Sequence, residues 1–130
     1  MAALQTSQPT LDSIAPRFVV QDLEQALAFC EQLGFTPTYQ DEAFAIVERD
    51  RIDLRLNASK GSPKGHSVCW IGVINIEALY QQYLPTNAIQ SPLMAQPWGF
   101  KEFCVRDPFR NLILFAENIS EEEARTEEEG

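Results

Sequence analysis

The chain has 130 residues, 45% of them hydrophobic and 22% charged, with a formal net charge of −9 at pH 7. That is one domain's length with enough apolar material for a core, which excludes a disordered class, and its acidity argues against nucleic acid as a partner. No apolar run reaches the roughly 20 residues of a membrane-crossing helix, and the start lacks the basic-then-apolar order of a secretory leader, so a cytoplasmic protein with no membrane partner is expected.

Residues 1–12 read as an N-terminal arm. Residues 14–20 form a β-branched and aromatic run, predicted as a strand. Asp22 offers an N-cap with Gln25 three positions on, and Leu23, Ala26, Leu27 and Cys30 make one helix stripe closed by Gly34. Strands are then predicted at 35–40, 44–48 and 52–56, with turns at Asp41-Glu42 and Arg49-Asp50-Arg51. Residues 57–65 are a Ser/Gly/Lys/Pro linker.

The same order then recurs. Residues 68–73 read as a strand, Asn75 as a cap, and Ile76, Leu79, Tyr80 and Tyr83 as a stripe stopped by Pro85. The stripe repeats the first one at a spacing of 53 residues. Strands are predicted near 89–93, at 100–105 and at 112–115, the last two joined by Asp107-Pro108-Phe109-Arg110-Asn111. Each half therefore reads βαβββ. The expected fold is α+β: two such modules, about 13–58 and 66–118, form a cup-shaped mixed sheet with helices on the outer face. Modules this small need each other for a core. Residues 119–130 are expected to be an acidic, disordered tail; from Glu117 onward there are seven Glu and one Arg. Cys30, Cys69 and Cys104 have no paired spacing and are expected to be free thiols.

Several strings resemble the vicinal-oxygen-chelate (glyoxalase/bleomycin resistance/dioxygenase) superfamily. Val20-Gln21-Asp22-Leu23 with Ala28-Phe29-Cys30-Glu31-Gln32-Leu33-Gly34-Phe35 is similar to its first strand–helix unit. Asp107-Pro108-Phe109-Arg110-Asn111-Leu112 is similar to its closing turn, with Phe109 and Arg110 where an acid and Gly are usual. Gln96-Pro97-Trp98-Gly99-Phe100-Lys101-Glu102-Phe103 resembles the PWG-x-x-EF signature of the bleomycin-resistance branch, and Cys69-Trp70-Ile71-Gly72-Val73 its tryptophan strand.

The resemblance implies metal-ligand positions at Ala15, Asp53, Val68 and Leu114. Only Asp53 could ligate, so no metal and no other cofactor is expected; the lone His66 reads as an exposed residue of the linker or the strand edge. If those positions face the cup, alternation also turns Arg17, Arg55, Trp70, Gly72 and Leu112 toward it, and Ile52, Leu54, Cys69, Ile71 and Ile113 toward the helices. By the resemblance, Trp70 and Trp98 match ligand-stacking positions of the branch and Phe44 another aromatic near that groove, with Tyr39 close by. Glu102 is a carboxylate among aromatics, for which Arg55 or Arg17 could supply a counter-ion.

No catalytic residues can be assembled around one histidine. The expected function is non-catalytic binding of a planar or cationic molecule, bleomycin-like, by Trp70, Trp98, Phe44, Tyr39, Glu102 and Arg55. The resemblance implies a homodimer whose interface forms the groove. The alternatives are an enzyme of the superfamily with unusual or no metal ligands, and a structural dimer with a vestigial pocket.

Overall fold

The computed structural model describes residues 8–59 and 67–119. Its elements run β1 (Arg17–Val20), α1 (Leu23–Gln32), β2 (Thr36–Gln40), β3 (Phe44–Arg49), β4 (Ile52–Ala58), β5 (Val68–Gly72), α2 (Ile76–Tyr83), β6 (Ile89–Ala95), β7 (Phe100–Arg106) and β8 (Leu112–Asn118). Each half is βαβββ, and the fold is α+β with mixed sheets as expected. The strands form two four-stranded sheets, ordered β1-β4-β3-β2 and β5-β8-β7-β6. In each, the first strand pairs parallel to the last and the other pairs are antiparallel.

Alternation sorts the faces as the sequence predicts. Phe18, Val20, Val47, Leu54 and Leu56 of the first sheet are buried with Ile71, Phe103, Val105, Ile113 and Phe115 of the second, and the helix residues Leu23, Ala26, Cys30, Ile76 and Tyr83 join them in one core. The opposite, helix-free face of each sheet is open. The edge strands β2 and β6 each carry a proline, Pro37 and Pro92, beside a register shift. Proline removes a ladder donor, which suits an edge.

The helix ends differ. Asp22 Oδ1 accepts from Gln25 N at 3.0 Å, the expected cap. Gly34 ends α1 at φ +90°, where a Cβ would also come within 2.8 Å of the Arg49 guanidinium. Asn75 is not a side-chain cap: it stands at φ 69° with no cap bond. Glu117 reaches over from β8 instead, accepting from Asn75 N at 3.0 Å and Ile76 N at 2.8 Å. A carboxylate at a helix N-terminus satisfies orphan donors whichever strand supplies it. The first strand is also shorter than predicted. Ile14 is exposed, and the ladder starts where Arg55 N donates to Pro16 O.

Polar bonds tie the halves together. Tyr83 OH donates to Leu33 O at 2.6 Å, and Arg49 Nη1 donates to Leu33 O and Tyr83 OH at 2.8 and 3.0 Å. At the other end Asn111 Nδ2 donates to Val19 O at 3.1 Å.

Candidate functional site

The site on the second sheet begins at the β6–β7 turn. Gln96 N donates to Phe100 O and Gly99 N to Gln96 O, closing a tight turn with Pro97 and Trp98 at its tip. Gly99 sits at φ +94° with open space around it, so it is needed for its backbone, not for room. The turn holds Trp98 64% exposed. Its indole Nε1 donates to Glu102 Oε2 at 2.9 Å.

Register completes the surface. Met94, Glu102, Ala116 and Gly72 form one row across β6, β7, β8 and β5. Trp70 lies over the end of that row: a Cβ at Gly72 would stand 3.2 Å from its ring. Trp70 also meets Phe100 edge-on, centroids 5.9 Å apart, yet stays 54% exposed. Within the Phe100–Phe103 string, Phe100 and Glu102 thus face outward. Lys101 and Phe103 face the helix, Lys101 Nζ meeting Glu77 Oε1 at 2.9 Å.

On the first sheet, Tyr39 and Phe44 are neighbours with centroids 6.2 Å apart. Tyr39 OH donates to Asp41 Oδ2 at 2.8 Å, a bond that raises the phenol's pKa. Asp41 is held below the usual carboxylate range, first by the Ala43 N–H and then by Tyr39. Arg55 lies two positions along from Asp53, their charged atoms 3.8 Å apart.

The sequence-selected residues therefore form two groups on two sheets: Trp70, Trp98 and Glu102 on one, Tyr39, Phe44 and Arg55 on the other. Glu102 does not take Arg55 or Arg17 as its counter-ion. A short reach along its own hairpin gives it Trp98 instead. Phe100 and Met94 were not selected. Phe100 shares parity with Glu102, which was the available signal; Met94 is placed by a register shift in β6 that no pattern shows. Two concavities of about 400 and 660 Å³ lie at the junctions between the halves and include none of the six selected residues.

Among the described residues no group of three or more His, Cys, Asp or Glu is placed to hold a metal ion. Asp53, the one candidate ligand, instead neighbours Arg55, while Val68 and Leu114 stand in or beside the Trp70 row. These residues do not fit a divalent cation. His66 lies outside the described residues. Cys30, Cys69 and Cys104 are free. Among the described residues no helix is long and apolar enough to cross a membrane.

A family model, the Glyoxalase/Bleomycin resistance protein/Dioxygenase superfamily, matches residues 10–115. The chain belongs to that superfamily. It is 29% identical over 125 residues to the bleomycin resistance protein of Geobacillus stearothermophilus, covering 80% of this chain and 95% of the relative, and equally to that of Staphylococcus aureus. Among solved structures it resembles a bleomycin-binding protein complexed with bleomycin (TM-score 0.74, 21% identity, 83% of this chain and 99% of the other). It also resembles the bleomycin resistance determinant encoded on transposon Tn5 (TM-score 0.75, 22% identity, 83% and 98%). A third is the bleomycin-binding protein of Streptomyces verticillus complexed with copper(II)-bleomycin (TM-score 0.72, 22% identity, 87% and 99%). These structural likenesses establish the superfamily fold.

Proposed function

We propose that the chain binds and sequesters a flat, cationic small molecule of the bleomycin type, without transforming it, in an aromatic groove assembled between two copies. The observation that carries this reading is the Trp98–Glu102 pair beside Trp70 and Phe100. Exposed ring faces stack on a planar group, and a carboxylate held among them favours a positive one. Relatives named for bleomycin resistance support the same ligand class.

Two copies are favoured by what the single chain leaves uncovered. Tyr39, Val68, Trp70, Met94 and Trp98 are all exposed, and a second copy laid over the open sheet faces would take such side chains out of water. Leu11 and Ile14 are exposed too, and a second copy could cover them. Residues 13–118 form the binding domain, and Tyr39, Phe44 and Arg55 supply the wall facing Trp70, Trp98 and Glu102.

Titrating the full chain with bleomycin while following tryptophan fluorescence tests the ligand, and sedimentation tests the dimer. Quenching that saturates at micromolar drug is expected; an unchanged spectrum there would sink the reading.

A further inference from the structure

The open face of the first sheet carries positive charge that binding a cation does not explain. Tyr39, Ile46, Arg55 and Arg17 are register partners in one row across all four strands. Register partners project from the same face, so two arginines occupy neighbouring positions there, a pairing of like charges that costs stability where nothing neutralises it. Neutralisation within the described residues is thin. Arg55 Nη2 is 3.8 Å from Asp53 Oδ2, and Arg55 Nε is closed off from solvent with no hydrogen-bond partner. Arg17 is exposed and forms none of the ion pairs among the described residues. Two further carboxylates lie near the row: Glu48, one step along beside Asp53, accepts from Thr38 Oγ1 at 3.3 Å, and Asp41, at the far end from Arg17, accepts from the Tyr39 hydroxyl at 2.8 Å.

The repeat shows that the fold does not require this charge. Trp70 stands 53 residues after Arg17, and its row runs Trp70, Leu114, Cys104 and Ser91 across the second sheet. The same row of the same module is built there without any charge. Two arginines concentrated at this row, in a chain of net charge −9, point to an anionic occupant.

We propose that Arg17 and Arg55 form an oxyanion subsite that takes the carboxylate, or a like planar oxyanion, of a flat ligand. Guanidinium groups match such anions through paired N–H donors, and an anion between the two would take hydrogen bonds from the Arg55 Nη groups, which now have only Asp53 at 3.8 Å. Ile46 and Tyr39 continue the row as an apolar and aromatic bed for the ligand's ring. The subsite stands on the first sheet alone and does not depend on the bleomycin-type reading. If both faces wall one groove, the natural ligand is amphoteric, cationic at the Trp98 end and anionic at the Arg17 end.

Calorimetric titration of the full chain with 2-naphthoate and with its neutral analogue 2-naphthalenemethanol tests this. The acid is expected to bind about tenfold tighter than the alcohol, with the advantage shrinking as salt is added. Arg17→Gln and Arg55→Gln should each remove the acid's advantage over the alcohol; Arg17 is exposed, so its variant keeps the test free of folding effects. Equal affinity for acid and alcohol would overturn the proposal. So would an Arg17→Gln variant that binds naphthoate normally, including one that shifts only the monomer–dimer equilibrium, since the arginines would then serve a second copy. Naphthoate binding that persists where bleomycin fails to quench tryptophan would sink the sequestration reading and leave this subsite standing.

Discussion

Trp98 and Glu102 are joined across one turn of backbone by a 2.9 Å hydrogen bond from the indole Nε1 to the carboxylate. The bond fixes the plane of an exposed ring and places a negative charge at its edge. Glu102→Gln keeps an acceptor for the indole but removes the charge. Affinity for a flat cation should fall about tenfold, with a weaker dependence on salt, while a neutral flat ligand binds as before. Fluorescence titration of both probes against wild type and variant checks this.

Arg110 stands at φ 74°, left-handed backbone that costs an L-residue about 1 kcal/mol or more. Arg110→Gly should therefore stabilise the chain by about 1 kcal/mol, raising the melting temperature by about 3 °C. Thermal unfolding followed by circular dichroism measures it, and a lower melting temperature would show that the arginine has a role beyond the turn.

Asn111 is fully buried and joins three segments: its Nδ2 donates to Asp107 Oδ2 and Val19 O, and its Oδ1 accepts from Ser67 N. Asn111→Ala leaves several buried groups unpaired, at a cost of about 3 kcal/mol. The expected result is a lower urea midpoint, read by near-ultraviolet circular dichroism at the junction of the halves.

The Tyr39 phenol should titrate above its ordinary value of 10.0, because ionising it loses the hydrogen bond to Asp41 and sets two negative charges together. Its folded value is raised, so the stabilisation is fully present below the ordinary phenol value and is lost as pH rises through the folded one. Asp41→Asn should bring the phenolate absorbance transition back toward 10.0. A transition unchanged by the substitution would break the assignment.

Burial pushes the Cys30 thiol up to about 12, helped by the charge of Asp107, and the Cys69 thiol up to about 11; burial raises Cys104 as well. Native protein at pH 8 should react slowly with a thiol-specific disulfide reagent, Cys30 slowest, and all three should react promptly once guanidinium chloride unfolds the chain. One fast native thiol would contradict this.

Much of this was legible in the chain because it is local. The stripes at Leu23–Cys30 and Ile76–Tyr83 read as helices since one face must be apolar every three to four residues, and strand alternation sorted Leu54, Ile71 and Ile113 from Arg55, Trp70 and Leu114 for a similar reason. The PWG string was legible only as a resemblance; that it closes a tight turn, with Gly99 at a positive φ that glycine tolerates without strain, is a finding of the structure. Long-range choices left no such mark. Asn75 looked like a cap, but Glu117, 41 or more residues away, does that work. Glu102 looked in need of an arginine, but Trp98 on its own hairpin reached it first.

Taken by itself, then, the sequence determined the order of elements in the two βαβββ modules and the faces of β1, β4, β5 and β8, since periodicity and turn chemistry act over a few residues. Tertiary structure alone decided which residues became neighbours. The parallel register of β1 on β4 set Arg17 beside Arg55, and that of β5 on β8 set Trp70 beside Leu114. Register joins segments far apart in the chain, through backbone hydrogen bonds that carry no side-chain signature. That is why one repeated pattern could become a guanidinium pair on one face and an aromatic platform on the other.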